Sequence, residues 1–453
     1  MHKHVLLATC ALMAPIAIIS CPAFAQDAPS SAPEATAGIT EVVVTAERRA
    51  SRLQKAALSV TAISADSIAK TGKTSYDDVL TGVAGVQVQL IAGNGPPSPL
   101  ISIRGLGTDG KNKPASTAVY VDGVQINRQG AQFYDLERVE VLRGPQGTLY
   151  GSTATAGGVN IITKDPKLGD TSGWGELDLG SYGTVHTSGA VNVPVSERSA
   201  LRFAFNQTRR DGYAKNDGQS EVNARVKYLY VPDSSTRVLL GAEYYTFSGI
   251  SFGDGRNAQD DAGNLVGPYV AEQGFGHTRV AKIYANLSHD FSFGTLTYIP
   301  AFQKLKSDLS VANPLVGSQE LISPFDNLTS HEIRLSNPSD SKLTWVVGAY
   351  YRNRHADSSV NIGWDSALPN ILNRFVTVED LTNNTQTAIF AQATAPVGEK
   401  TRLTLGLRST HDVVHLDQNF SFLAGAPFPV PVGTTLYPYN KSFDSLNYLA
   451  RIE

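Results

Sequence analysis

From Gly173 to the end of the chain, apolar side chains recur at every second position, and this period of two constrains the fold more than any other feature. Leu201, Phe203 and Phe205 alternate with Arg202, Ala204 and Asn206. Val238, Leu240, Ala242 and Tyr244 alternate with Leu239, Gly241, Glu243 and Tyr245. The pattern returns at Ile283, Ala285 and Leu287 and again at Leu403, Leu405 and Leu407. Successive side chains of a strand point to opposite faces, so each segment of roughly ten residues carries one apolar and one polar face. About twelve such strands are expected between residues 173 and 453.

The connections add a second constraint. Tight polar turns are expected at Pro194–Arg198, Pro232–Ser235, Asp290–Gly294, Ser336–Lys342 and Pro396–Lys400. Between them lie long Gly/Asn/Asp-rich stretches over 248–276, 307–328, 355–384 and 412–440. Short periplasmic turns alternating with long outer loops are the asymmetry of a transmembrane β-barrel. A soluble β-sandwich also alternates along its strands, but it has no reason to lengthen every second loop.

Composition agrees with strands and turns. Charged residues make up only 17%, and 40 Gly, 18 Tyr and 17 Phe stand against 3 Trp and 2 Met. Mean hydropathy is −0.14, and no late segment has the length and apolarity of a membrane-spanning helix. The formal net charge of −3 offers no polybasic footprint, which argues against a nucleic-acid partner.

The N-terminus reads as an export signal over residues 1–25. Lys3 lies in a short basic start, Val5–Ile19 is apolar, and Ala23-Phe24-Ala25 fits a small-residue cleavage site before Gln26. A lipoprotein reading through Ile18-Ile19-Ser20-Cys21 is the alternative. Both cysteines, Cys10 and Cys21, fall in this segment, so the exported chain is expected to lack thiol chemistry and cysteine metal sites. Residues 26–51 form an expected flexible arm, Ala/Pro/Ser-rich over 26–38. The arm ends in the β-branched run Ile39 to Ala46, which either adds to another chain's sheet edge or begins the next domain.

Residues 52–166 have the signals of a small α+β domain. Ser64-Ala65-Asp66-Ser67-Ile68 and Ser75 to Leu80 read as helix starts. Short strands are expected at Val86–Val88, Leu100–Arg104, Val119–Val121, Val139–Leu142 and Val159–Thr163, punctuated by glycine and proline.

Taken in order, several segments make the sequence resemble the TonB-dependent receptor family over nearly its whole length. Thr40-Glu41-Val42-Val43-Val44-Thr45-Ala46 looks like a TonB box. Ser102-Ile103-Arg104-Gly105, Val119 to Val124, Leu136 to Gly151 and Gly157 to Lys164 look like the family's plug motifs. The resemblance implies a mainly β protein. An N-terminal α+β plug (52–166) would lie inside a transmembrane antiparallel barrel (173–453), with about 12 of the ~22 strands of that class present. It implies a Gram-negative outer-membrane location and a signal-peptide-directed receptor for ion or iron transport by siderophore uptake. It also implies a monomer with three partners: the TonB energy-coupling protein, outer-membrane lipid and a small-molecule ligand such as an iron chelate.

The resemblance further assigns residues. Thr40, Glu41, Val42, Val43, Val44, Thr45 and Ala46 would bind TonB by strand addition. Arg104, Glu137, Arg138, Glu140 and Arg143 would form plug–barrel ion pairs, since charges enclosed in a barrel need partners. The alternative for Glu137 to Arg143 is the exposed-face charge alternation of an ordinary strand. Gly144, Gly147, Gly151, Gly157 and Gly158 read as tight-turn positions. Lys111, Lys113 and Arg128 would attract an anionic ligand at the plug apex, or serve as ordinary solvated loop charges.

Neither a cofactor nor a metal site is expected. Gly144 to Gly151 lacks the lysine of a phosphate loop, Asp254, Asp260 and Asp261 lack calcium-loop spacing, and His277, His289, His331 and His355 stand singly. No nucleophile–base arrangement calls for an enzyme. Two departures from the family stand out: the strand count, and an end at Ala450-Arg451-Ile452-Glu453 without a terminal aromatic residue. Because an open sheet cannot span a bilayer, both suggest a truncated barrel. The arm is also too short for the signalling domain that some members carry. Competing readings are import of a carbohydrate or aromatic nutrient, a passive adhesin barrel, and an outer-membrane enzyme.

Overall fold

The computed structural model describes residues 43–45, 48, 51–52, 59–71, 76–91, 98–107, 116–126, 133–151, 154–211, 218–249, 275–313, 317–338, 341–363, 376–399, 401–422 and 433–452. The described chain opens with β1 (Val43–Val44), paired antiparallel with β2 (Ser51–Arg52). β3 (Ser59–Ser64) then runs into α1 (Ala65–Thr71), where the Ser67 amide donates to Ser64 Oγ at 3.2 Å. That bond satisfies a free donor of the first turn, as the helix-start signal predicts. α2 (Tyr76–Thr81) follows, and then the hairpin of β4 (Val86–Ile91) and β5 (Ser98–Ile103).

β6 (Thr117–Val121) and β7 (Val124–Gln125) turn through Asp122 and Gly123, both with positive φ (52° and 83°). That is the backbone an Asp-Gly two-residue hairpin favours. β8 (Leu136–Arg143), the short α3 (Gly147–Tyr150) and β9 (Gly157–Thr163) complete the domain. The central sheet has the order β3-β8-β9-β6-β7, with β6 and β9 parallel and the other pairs antiparallel. Val139, Val141, Val159 and Ile161 from its strands pack with Leu80's neighbours Val79 and Val83 and with Ile103 in one dry cluster. Gly157 sits at φ +146°, and a Cβ there would run into the Leu142 carbonyl oxygen, so only glycine lets β9 begin this close to β8.

Twelve strands then form one antiparallel sheet in strict sequence order. They are β10 (Ser172–Gly180), β11 (Thr184–Ser196), β12 (Ser199–Arg210) and β13 (Gln219–Tyr230). β14 (Thr236–Gly249), β15 (Phe275–Phe291), β16 (Gly294–Asn313) and β17 (Gly317–Ser336) follow. β18 (Thr344–Gly363), β19 (Val376–Pro396), β20 (Arg402–Phe422) and β21 (Gly433–Ile452) end it. β10 and β21 are its edges.

The sheet exposes apolar side chains on its outward face and buries charges on its inward face, the reverse of a soluble core. Ile283, Ile389, Leu405 and Leu407 are more than half exposed, whereas Arg202, Lys227, Lys282, Glu332 and Arg408 on the opposite face are less than a tenth exposed. Lipid is the solvent that makes this arrangement favourable. Among the described residues no helix is long and apolar enough to cross a membrane, which leaves the crossing to strands.

The expected twelve strands are present, but the later ones run to 20 or 21 residues rather than ten. Only about 9–11 residues are needed to span the apolar layer. The alternation therefore marks the lipid-facing part alone, while polar residues extend the same ladders into what read as long loops. The expected loop 307–328 is thus almost wholly strand, with β16 and β17 joined across 314–316.

Candidate functional site

The residues that join arm, plug and barrel wall lie near the short-turn rim. Val44 is fully buried in a cluster with Tyr120, Leu142, Leu149 and Tyr150 of the plug and with Val346 and Phe390 of the wall. Val346 stands two residues into β18 and Phe390 on the last third of β19, next to the short turns 337–343 and 397–401. Burying a valine there contributes about 1.5–3 kcal/mol.

Thr45 is clamped to the plug sheet. Its amide donates to Glu140 Oε1 at 2.9 Å, and its hydroxyl lies 3.2 Å from Oε2. Asn160 Nδ2 donates to Thr45 Oγ1 at 3.0 Å and to Glu140 Oε2 at 3.2 Å. Arg138 Nε donates to Glu140 Oε1 at 2.8 Å. Glu140 has no exposed surface, so these donors replace the water its charge would otherwise need.

Arg48 extends the same attachment to the wall. It has φ 61°, and its amide donates to the Thr45 carbonyl oxygen at 3.0 Å, closing a tight turn after the β-branched run. Its guanidinium pairs with Glu332 of β17 at 3.2 Å, donates to the Gly123 carbonyl oxygen at 3.4 Å, and lies 4.6 and 4.3 Å from the ring centroids of Tyr120 and Tyr150. Burial disfavours the charge, but Glu332 and the surrounding tyrosines more than offset it and raise the pKa above the ordinary arginine value. One side chain thus touches arm, plug and wall.

A second attachment lies at the Asp122 hairpin. Asp122 accepts from the Thr163 amide (2.9 Å), the Thr163 hydroxyl (2.7 Å) and Tyr284 Oη of the wall (2.7 Å), and pairs with Lys227 Nζ at 3.0 Å. Burial works against its ionised form, yet Lys227, Arg225, Lys282 and the Thr163 amide outweigh it and hold its pKa well below the usual carboxylate range. Lys227 also pairs with Asp165 at 2.8 Å, and Arg237 pairs with the same carboxylate. Further round the wall Asp135 is gripped by Arg202 at 2.7 and 2.5 Å.

The residues expected to pair plug with barrel are placed differently. Glu140 and Arg138 bond within the plug and to the arm, and Arg143 donates to the Ala84 carbonyl oxygen and to Thr61 Oγ1. Glu137 is exposed, and Arg104, at φ 54°, reaches past Gly144. The pairs to the wall come instead from Arg48, Asp122, Asp135 and Asp165. β8 is a central strand, so its side chains meet plug neighbours first, whereas turns and strand ends project to the wall. Asp122 was legible as part of the Val119 to Val124 motif, but nothing local distinguishes Arg48 or Asp135.

Of the TonB-box candidates, Val43, Val44 and Thr45 lie among the described residues and are docked, with Val44 and Thr45 packed rather than loose. Thr40, Glu41, Val42 and Ala46 lie outside the described residues, as do Lys111, Lys113 and Arg128. Of the glycines read as turns, Gly144, Gly151 and Gly157 have positive φ. Gly147 instead allows close approach, since a Cβ there would stand 3.2 Å from Asn447 Oδ1 of β21. Among the described residues no group of three or more His, Cys, Asp or Glu is placed to hold a metal ion.

A plug fastened inside a lipid-facing sheet, with an N-terminal arm at the short-turn rim, defines the class of plugged outer-membrane barrels. A family model described as TonB-dependent Receptor Plug Domain matches residues 52–158, so this part of the chain is a plug domain of the TonB-dependent receptor family. The vitamin B12 transporter BtuB of Vibrio vulnificus is 32% identical over 189 residues, covering 40% of this chain and 30% of that protein. The pesticin receptor of Yersinia pestis is 34% identical over 188 residues, covering 41% and 24%. The chain therefore spans about a third or less of the length of these curated relatives. The fold matches the ferric yersiniabactin uptake receptor FyuA of Yersinia pestis, with TM-score 0.71 and 18% identity, over 87% of this chain and 61% of that one. It also matches the closed form of the ferric-catecholate import receptor Fiu of E. coli, with TM-score 0.69 and 17% identity, over 88% and 64%.

Proposed function

We propose that this protein performs TonB-dependent active uptake across the outer membrane, with a ferric siderophore or similar iron chelate as cargo. The observation that carries the reading is the docked arm. The β-branched run leads directly into a clamp on Glu140 and a junction at Arg48, close to the rim of short, periplasmic turns. A periplasmic partner adding a strand to residues 40–46 would gain backbone hydrogen bonds strong enough to pull against. Its pull reaches Thr45 first, then Glu140 on a central plug strand, and through Arg48 the bond to the wall. The outer membrane has no nucleotide supply, so work delivered this way is what uptake against a gradient requires.

The cargo reading draws support from the named relatives, which include receptors for ferric yersiniabactin and ferric catecholates. A vitamin B12 transporter stands among them too, which makes a cobalamin the comparison cargo. The test is uptake of labelled ferric siderophores and labelled cobalamin by cells producing the protein or its Val44→Pro variant. Proline removes a backbone donor and disrupts strand addition. The expected result is ferric uptake that Val44→Pro abolishes while surface binding persists. Equal uptake by the variant refutes the coupling role, and uptake of cobalamin alone refutes the iron cargo.

A further inference from the structure

Between the plug and strands β13 to β16, one small cavity is lined by polar groups that the plug attachments leave unspent. Arg225, Glu243, Lys282 and Gln303 are successive cross-strand partners on the inward face of β13, β14, β15 and β16. Asn223 stands two residues further from the short turn on β13. With Ile126 and Tyr134 of the plug they line a cavity of about 20 Å³. Asn223, Lys282 and Gln303 are each 3% exposed or less. Asn223 Nδ2 and both ends of the Gln303 amide find no partner among the described residues. Lys282 Nζ pairs with Glu243 Oε2 at 3.0 Å, which engages one of its three protons. Burying donors without an acceptor is costly, so three side chains with donors to spare around one space point to an acceptor held there.

Charge identifies the acceptor. Arg225, Lys227 and Lys282 are buried beside two carboxylates: Arg225 Nε donates to Glu243 Oε1 at 3.0 Å, and Lys227 pairs with Asp122 at 3.0 Å. Asp165, which Lys227 also reaches, is matched by Arg237, and Asp135 is matched by Arg202. Among the described residues this group therefore carries one positive charge more than its carboxylates balance. A water molecule would satisfy the donors but leave that buried charge uncompensated. Since about 10–15 Å³ of such space holds one water, there is room for one atom-sized ligand and none for phosphate, sulfate or a carboxylate. A single monatomic anion meets both the charge and the size.

We propose that Asn223, Lys282 and Gln303 bind one chloride ion at the seam between plug and wall. The Lys282 ammonium supplies the charge and Asn223 Nδ2 a neutral donor, and nothing holds Gln303 Nε2 away from the ion. Arg225 is engaged by Glu243 and by the Tyr134 carbonyl oxygen at 3.2 Å, so it positions the site and does not bind the ion. Ile126 and Tyr134 form the plug side of the cavity, so the ion is enclosed only while the plug is seated. Chloride should therefore stabilise the seated state.

The test uses the membrane-extracted protein in two ways. Crystals soaked in sodium bromide are measured for the anomalous signal of bromide, and thermal unfolding is followed across a chloride series with gluconate keeping the ionic strength constant. A bromide peak should touch Lys282 Nζ and Asn223 Nδ2, and the melting temperature should rise with chloride and then saturate. Lys282→Gln removes the excess charge and should weaken the chloride response on the order of tenfold, the equivalent of one charged hydrogen bond. Lys342→Gln, on a distant short turn, should respond like the parent. Density at the site without an anomalous signal, the mark of an ordered water, overturns the proposal. So does a peak that Lys282→Gln leaves undiminished, or identical melting in chloride and gluconate. If Lys282→Gln does not reach the membrane, Asn223→Leu decides, because its larger side chain occupies the cavity while every charge stays. Loss of the peak and of the saturable response is expected, and an unchanged response is fatal. Uptake is not read in any arm, so the outcome is independent of the proposed transport function.

Discussion

Replacing Arg48 by methionine should loosen the arm without unfolding the plug. The Arg48–Glu332 pair is 3.2 Å long with both side chains 5% exposed. At an effective dielectric near 20 that separation is worth about 5 kcal/mol of attraction, most of it offset by desolvation. Breaking a buried pair usually costs ~3–5 kcal/mol because a charge is stranded. Here Glu332 keeps Arg334 at 2.6 Å, so the loss falls below that range. The two ring contacts at 4.6 and 4.3 Å add about 0.5–2 kcal/mol each, part of which the methionine stem recovers. A net loss of about 2–3 kcal/mol should raise the undocked population roughly 30- to 150-fold. Amide hydrogen exchange at Thr45, whose N–H is held by Glu140, reads that population directly. Exchange at Val139 and Val159, in the sheet core, should hardly change. Thr45 exchange within a few-fold of the parent would refute the view that Arg48 holds the arm.

Three further outcomes follow from the same geometry, and a fourth from the sequence alone. Val44→Pro should abolish ferric uptake while leaving surface binding, as measured with labelled siderophore. Asp122→Asn should lower unfolding stability at neutral pH; because the folded Asp122 pKa is depressed, its contribution is complete above the ordinary carboxylate pKa and is lost as pH falls below it. The gap between parent and variant in denaturant melts should therefore close in acid, and a pH-independent gap would refute the ionised pairing with Lys227. Gly157→Ala should cost the plug more than the roughly 1–3 kcal/mol of a strained backbone, since its Cβ meets the Leu142 carbonyl, and should open the plug to limited proteolysis. Changing Lys111 and Lys113 together to alanine should weaken binding of an anionic chelate and flatten its salt dependence; unchanged affinity and slope would remove both from the site.

The twelve-strand sheet, the two short helices and the plug strands at Val139–Leu142 and Val159–Thr163 were legible because each depends on local periodicity or a local cap. Leu405 and Leu407 face outward and Thr404 and Arg408 inward because strand geometry allows no other alternation. Strand length was misread for an equally physical reason. Above the lipid the outward positions of β16 become charged (Lys304, Lys306 and Asp308) while Leu305 and Leu309 face inward and are buried, so the apolar-outward alternation ends while the backbone ladder continues.

The chemistry of the plug was visible in the sequence, but its partners were not. Glu137 to Arg143 stood out as charged in an enclosed domain, and that much holds for Glu140, which has no exposed surface. Which charge meets which wall residue depends on positions 62 to 284 residues apart along the chain, such as Asp165 with Lys227 and Arg48 with Glu332. No local pattern encodes such a separation. The sequence by itself determined the class of fold, the lipid-facing surface and the β-branched arm, because these follow from side-chain order along one strand. Only the tertiary structure decided that Arg48, Asp122, Asp135 and Asp165 fasten the plug, because a buried charge is paired by whichever distant group the closed packing brings within reach.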